Sequence, residues 1–460
     1  MSSGLQAIIG LIIAVIVLIV LILKTKIHAF LALIIAAGIA GIIGGLSPDK
    51  VAGLISTGFG NTLASIGIVI GFGVMMGSIL EDSGAAETMA LTFLKLFGPG
   101  GEEWALAFTG YVVSIPIFCD SGFVILFPIA KALSKKTRKS IVSVGVALAA
   151  GLVATHHLVP PTPGPLGAAG IFNADIGQVI IWGLLMSIPI VIATTLYAKW
   201  LGKKIYQLPE GDNWIRPSSS EKTNTPETGK TKEVEEKTKS NLPSALSSFA
   251  PIVVPLILIL LNTVLTAVKA KGVFVNYLLF FGSPVVAVGV GLIVAIYALM
   301  PHEPKSKVIE TMEKGIKSAG IIILITGAGG ALGYVLRQTG AGDYIAKGIA
   351  QSKIPAFLIP FLIATLVRLV QGSGTVAMIT SASISAPILA TLNINPVFAT
   401  LAAASGAFIF SYFNDSYYWV VNRLMGITDV REQIRTWSVT TTIAWAVSFV
   451  ILLVASFFIH

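Results

Sequence analysis

Gly73-Val74-Met75-Met76-Gly77-Ser78-Ile79-Leu80-Glu81-Asp82-Ser83-Gly84-Ala85 aligns without a gap on Gly329-Gly330-Ala331-Leu332-Gly333-Tyr334-Val335-Leu336-Arg337-Gln338-Thr339-Gly340-Ala341. At the same offset Gly71 falls on Gly327 and Ala90 on Ala346. In each half a Ser-Gly pair follows inside an apolar stretch, Asp120-Ser121-Gly122 and then Gly372-Ser373-Gly374. Farther on, each half carries a long apolar segment broken by polar or proline residues, at Val159 to Pro165 and at Phe413 to Ser416. Three matched features in one order mark the chain as a duplication. The glycines of Gly71 to Gly77 lack the spacing of a dinucleotide loop and lie in an apolar stretch, so close helix packing explains them better.

Composition decides the solvent in which the duplicated chain folds. Its 460 residues are 55% hydrophobic and 12% charged, with a mean hydropathy of +0.86. That balance is too apolar for a soluble chain and describes a polytopic membrane protein. It excludes a soluble enzyme, a nucleic-acid-binding module and a disordered scaffold. At about 20 residues per span, the length accommodates ten or more helices. The net charge of +9 is read as an excess of Lys and Arg in cytoplasmic loops. A lone Cys119 forbids an internal disulfide and a cysteine zinc site. The histidines form no ligand cluster with Cys or carboxylates, so neither a metal nor another cofactor is expected.

Gln207 to Leu242 is rich in Ser, Thr, Lys, Glu and Pro and reads as a flexible cytoplasmic linker. It divides the chain into a first membrane repeat, 1–206, the linker, 207–242, and a second membrane repeat, 243–460. The first apolar run, Ala7 to Leu23, has Lys24 and Lys26 after it and no basic residue before it. That is the reverse of a secretory signal, and it places the amino end outside. With that start, the cluster Lys131/Lys135/Lys136/Arg138/Lys139, Lys199/Lys203/Lys204, the linker, Lys305 to Lys317 and Arg423/Arg431/Arg435 all fall inside. The solution requires the segments around Asp120 and Ser373 to enter the membrane and return. The fold expected is therefore all-α, with two inverted repeats, re-entrant hairpins and interrupted helices.

The polar residues at these interruptions are the candidate site. Ser121-Gly122 and Ser373-Gly374-Thr375 are expected at the hairpin tips, where helix starts attract an anion. Pro160-Pro161-Thr162-Pro163-Gly164-Pro165 cannot remain helical, and Asn414-Asp415-Ser416 is its counterpart. Asp120 among apolar neighbours carries a functional reading, with helix capping as the alternative, and Asp415 has the same two readings. His156 and His157 are adjacent, point about 100° apart on a helix, and titrate in the range of a proton carrier. Asp120, His156 and Asp415 are the proton-coupling candidates. Arg368 can meet a substrate carboxylate in a bidentate pair, or satisfy a carboxylate or carbonyls of its own chain.

The runs His156-His157-Leu158-Val159-Pro160-Pro161-Thr162-Pro163-Gly164-Pro165, Arg368-Leu369-Val370-Gln371-Gly372-Ser373-Gly374-Thr375-Val376-Ala377 and Asn414-Asp415-Ser416, followed by Trp419, carry a resemblance. The sequence resembles the gluconate permease family of proton-coupled sugar-acid symporters, within the wider ion transporter superfamily. The resemblance covers nearly the whole chain. It implies an elevator-type homodimeric carrier of the bacterial cell membrane that moves gluconate or a related hydroxy acid inward with protons. It also favours His156 for the site, beside Pro161 and Thr162 of the proline run. Two other readings stand beside it. A sodium-coupled carboxylate carrier is compatible with Ser121, Ser373 and Thr375, and a channel is disfavoured by hairpins approaching from opposite sides. An intramembrane metalloprotease would need His-Glu-x-x-His, which does not occur.

Overall fold

The computed structural model describes residues 3–210, 213–217, 242–341, 355–412 and 415–456. In the first half, α1 (Ser3–Lys24), α2 (Ala29–Ile43), α3 (Pro48–Asp82) and α4 (Ala85–Phe97) precede a pair of helices, α5 (Glu102–Val113) and α6 (Cys119–Thr137). Next come α7 (Ile141–Leu158), α8 (Pro163–Phe172) and α9 (Ile176–Lys204). A short hairpin, β1 (Leu208–Glu210) and β2 (Asn213–Ile215), closes the half. The second half contains α10 (Ala245–Ala267), α11 (Val273–Phe281), α12 (Pro284–Leu299) and α13 (Lys305–Thr339). It continues with α14 (Leu358–Gln371), α15 (Gly374–Thr391), α16 (Pro396–Gly406) and α17 (Ser416–Leu424). The last element is α18 (Val430–Ala455), which contains a π-helical turn at Ile434–Ser438.

The repeated sequence sits on the two longest helices. α3 and α13 are each 35 residues long, and each is followed by a left-handed glycine, Gly84 at φ 76° and Gly340 at φ 72°. They pack antiparallel. Gly58 lies against Ala331 and Tyr334, Gly330 against Thr62, and Gly315 against Val74 and Ser78, while Thr311 donates to Asp82 Oδ2 at 2.9 Å. The repeated glycines give these helices flat faces against which other elements settle. A Cβ on Gly77 would stand 2.5 Å from the Pro116 carbonyl oxygen, and one on Gly333 would stand 3.0 Å from the Ser383 carbonyl oxygen. Gly77→Val is therefore expected to destabilise the protein by about 1–3 kcal/mol, the usual overpacking penalty. Gly71→Ala, where nothing lies within 4 Å of the added Cβ, is expected to leave the melting temperature in detergent unchanged. Equal melting temperatures for the two variants would remove the packing role assigned to the repeat.

The helices differ widely in length. Among the described residues five helices are long and apolar enough to cross a membrane, or seven if each bent pair is one span. Several other apolar helices are shorter. α5 has 12 residues and α14 has 14, which at 1.5 Å per residue is about 18 and 21 Å, short of the roughly 30 Å core. Each is followed, after a short break, by α6 or α15. α7, by contrast, is buried along its whole length. Its small residues allow this: a Cβ on Gly151 would collide with Ala107 of α5, and Gly145 faces Met425.

The start of the expected linker is ordered. Gln207 is 1% exposed and donates from Nε2 to the Met425 carbonyl at 2.6 Å. β1 pairs antiparallel with β2, Pro209 opposite Trp214. Leu208, Trp214 and Ile215 supply apolar surface that the Ser, Thr and Lys further along do not. Residues 218–241, the remainder of that linker, lie outside the described residues.

Candidate functional site

Three helix ends converge. Arg368 occupies the last turn of α14, ahead of Gly372 at φ 86°, and Asp415 is the N-cap of α17. Asp415 Oδ1 accepts from the Tyr417 amide at 3.1 Å. Its Oδ2 accepts from Arg368 Nη2 at 2.6 Å and from the Ser411 hydroxyl. The two side chains are 5% and 10% exposed, so Asp415 is both a cap and a buried ion-pair partner. Arg368 is only partly satisfied, because Nε and Nη1 are buried with no hydrogen-bond partner among the described residues. Each such donor costs about 1–3 kcal/mol unless something accepts from it. A ligand carboxylate can accept a charge-assisted hydrogen bond from one of these open donors.

Asp120 stands in the first turn of α6, half-buried. The Ser416 hydroxyl donates to its Oδ1 at 3.2 Å, and the Cys119 thiol lies 3.7 Å from its Oδ2. Asp120 and Asp415 are close enough to interact electrostatically, so the first helix after each interruption brings one carboxylate to a common place. Ser121 and Gly122 are not at the tip of the first hairpin. α5 ends at Val113 and α6 begins at Cys119, so the turn is Ser114 to Phe118. The Ser114 hydroxyl fixes it by donating to the Ile117 carbonyl at 3.0 Å. Ser121 is half-buried on α6, and Gly122 packs under Leu152, whose Cδ2 would lie 2.8 Å from a Cβ there. The second tip is where the sequence places it: Ser373 caps α15, its Oγ accepting from the Val376 amide at 3.3 Å. Gly374 and Thr375 form the first turn of that helix.

The broken helix of the first half faces both. α7 ends at Leu158 and α8 begins at Pro163, with a cis bond between Pro160 and Pro161. Pro161 packs on Gly73. The Thr162 hydroxyl is committed to the Val159 carbonyl at 2.6 Å, so it closes the break. His156 and His157 divide the two hairpins between them. His157 stacks on Phe408 at 4.6 Å, its Nδ1 is 3.1 Å from the Val153 carbonyl, and its Nε2 side abuts Gly374, where a Cβ would overlap the ring. His156 lies beside Phe118, 5.8 Å between ring centroids, with Nδ1 buried and unpartnered and Asp415 in electrostatic range. Asn414 lies outside the described residues.

The family model for GntP family permeases matches residues 6–458. The chain belongs to that family. It is 50% identical over 459 residues to an uncharacterized permease of Haemophilus influenzae, covering 98% of this chain and 92% of that one. With the high-affinity gluconate transporter of Escherichia coli K12 it shares 33% identity over 435 residues, 94% of this chain and 95% of that one. Among solved structures it is similar to the YdaH transporter of Alcanivorax borkumensis, with a TM-score of 0.61 at 16% identity over 97% and 98% of the two chains. That likeness is one of fold alone. This GntP-family permease is thus a multi-pass protein of the bacterial cell membrane and a transporter rather than an enzyme.

The permease also uses residues that sequence reasoning did not single out. Ser411 and Tyr412 line the gap between α16 and α17. Ser411 contacts Asp415, and the Tyr412 hydroxyl donates to the Leu369 carbonyl at 2.6 Å, tying that gap to the end of α14. Their position just ahead of Asn414-Asp415-Ser416 was the one available signal.

Proposed function

We propose that this permease takes up gluconate or a related sugar acid by proton symport, with the substrate carboxylate received by the open donors of Arg368. The partly satisfied, buried guanidinium is the observation that carries the reading. Hydroxyl-bearing side chains at the same helix ends, Ser121, Ser373, Thr375 and Ser416, suit the hydroxyls of a sugar acid. The gluconate transporter named above, a relative across nearly the full chain, supports the same substrate class. The antiparallel packing of the repeat-bearing α3 and α13 and the short re-entrant arms support inverted repeats and alternating access. An elevator movement in a homodimer is part of the proposal.

Competition against labelled gluconate tests it. A site built to hydrogen-bond hydroxyls leaves its own groups unpaired when an alkyl acid enters, so hexanoate should compete about 100-fold more weakly than gluconate. Gluconamide, lacking the charge that Arg368 meets, should also compete at least about tenfold more weakly. Equal inhibition by hexanoate would sink the hydroxyl contacts, and equal inhibition by gluconamide would sink the role of Arg368.

A further inference from the structure

We propose that a column of aromatic rings between α6 and α17, plugged at its far end by Trp214 of the β-hairpin, is the inner gate of the route from Asp120 to the cytoplasm. Both helices begin at the Asp120 to Ser416 contact and end at the hairpin. Tyr417 on α17 meets Phe123 on α6 edge to face at 6.0 Å, Phe123 meets Phe127 at 5.4 Å, and Phe127 meets Trp214 at 6.3 Å. Phe123 and Phe127 are four residues apart and so share one face of α6. Tyr417 is held from behind by Trp437 at 5.0 Å. The rings are 5% exposed or less, apart from Trp214, which is half-buried. From Cys119 to Phe127 α6 advances about 12 Å, so the column runs about that far from the site toward Trp214.

The plug is held by contacts to both halves. Lys131 places its ammonium 5.5 Å from the Trp214 ring centre. On the other side the ring lies against Gly426, where a Cβ would overlap it and where φ is 71°. Arg216, two residues on, gives two hydrogen bonds to Glu432, at 2.8 and 2.6 Å, and one to Gln207 Oε1 at 3.0 Å. Gln207 reaches the Met425 carbonyl. The basic residues Lys131, Lys135, Lys136, Lys203 and Lys204 near the same ends of α6 and α9 place this surface on the cytoplasmic side. A segment that composition assigns to a solvated linker thus closes a seam between the first hairpin and the second broken helix. Opening the site inward then requires Trp214 to leave Gly426 and the rings below it to part.

Cys119, the single cysteine of the chain, is buried at the head of the column and reports on the gate directly. In inside-out vesicles, Trp214→Ala should let a membrane-impermeant maleimide label Cys119 about tenfold faster than in the unaltered protein, since thiol labelling follows exposure. Phe127→Leu, which keeps the position apolar, should act in the same direction, and Trp214→Phe should keep labelling slow. In right-side-out vesicles all rates should match the unaltered protein. Inner-face rates in Trp214→Ala and Phe127→Leu that both stay within twofold of the unaltered protein would overturn the proposal. Equal acceleration from both faces would overturn it as well, because that is general loosening and not a gate.

Discussion

Arg368→Met is expected to abolish sugar-acid uptake and to lower stability, and combining it with Asp415→Asn is expected to restore the stability without restoring the uptake. Removing one member of a buried ion pair leaves the other charge uncompensated, at a cost of about 3–5 kcal/mol, whereas removing both charges is often close to neutral. Asparagine suits the second position. It keeps an oxygen for the Tyr417 amide that Asp415 caps at 3.1 Å, and its NH2 can donate to the Ser411 hydroxyl, which turns from donor to acceptor. The melting temperature in detergent should therefore fall in the single variant and recover in the double. Uptake behaves differently, because the buried Nε and Nη1, to which the proposal assigns the substrate carboxylate, are gone in both. A loss of at least about 100-fold is expected in each, the scale of a buried charge-assisted pair. A double variant that transports within fivefold of the unaltered protein would make Arg368 a structural residue and leave the carboxylate without a receptor.

What the sequence made legible is what is local. The thirteen-residue repeat from Gly73 lies on the helices it was expected to shape, because glycine faces act through their immediate neighbours. The proline run breaks α7 from α8 where a missing amide and a fixed φ demand it. What was not legible depends on chain separation or on a misleading likeness. Arg368 and Asp415 are 47 residues apart, and nothing in either motif names the other. Ser121-Gly122 imitates Ser373-Gly374, yet the first turn is made five residues earlier, at Ser114 to Phe118. Trp214 was hidden because a short apolar hairpin was averaged into a long polar segment.

The last expectation concerns which group carries the proton, and the contacts separate the candidates. Asp415 has a permanent cation at 2.6 Å, a serine hydroxyl and a backbone amide on its two oxygens, so protonating it would break a network that holds α17 in place. His157 is wedged between Phe408 and Gly374. His156 lacks a partner on Nδ1 but sits behind Phe118. Asp120 has one weak hydroxyl contact at 3.2 Å and is half-buried at the start of α6. A carboxylate there can gain and lose a proton at little structural cost. Asp120→Asn fixes that side chain in the neutral shape. With about one pH unit imposed across proteoliposomes, a single-proton symporter of a monoanion accumulates substrate about tenfold, since 1.4 kcal/mol is a factor of ten. The Asp120→Asn variant is expected to reach a ratio of about one while still exchanging internal for external labelled acid, because Arg368 and the hydroxyls remain. Asp415→Asn alone should lose both activities, since it leaves Arg368 without its counter-charge. Tenfold accumulation surviving in Asp120→Asn would move the proton to His156, and loss of exchange together with accumulation would make Asp120 a substrate ligand and not the proton carrier.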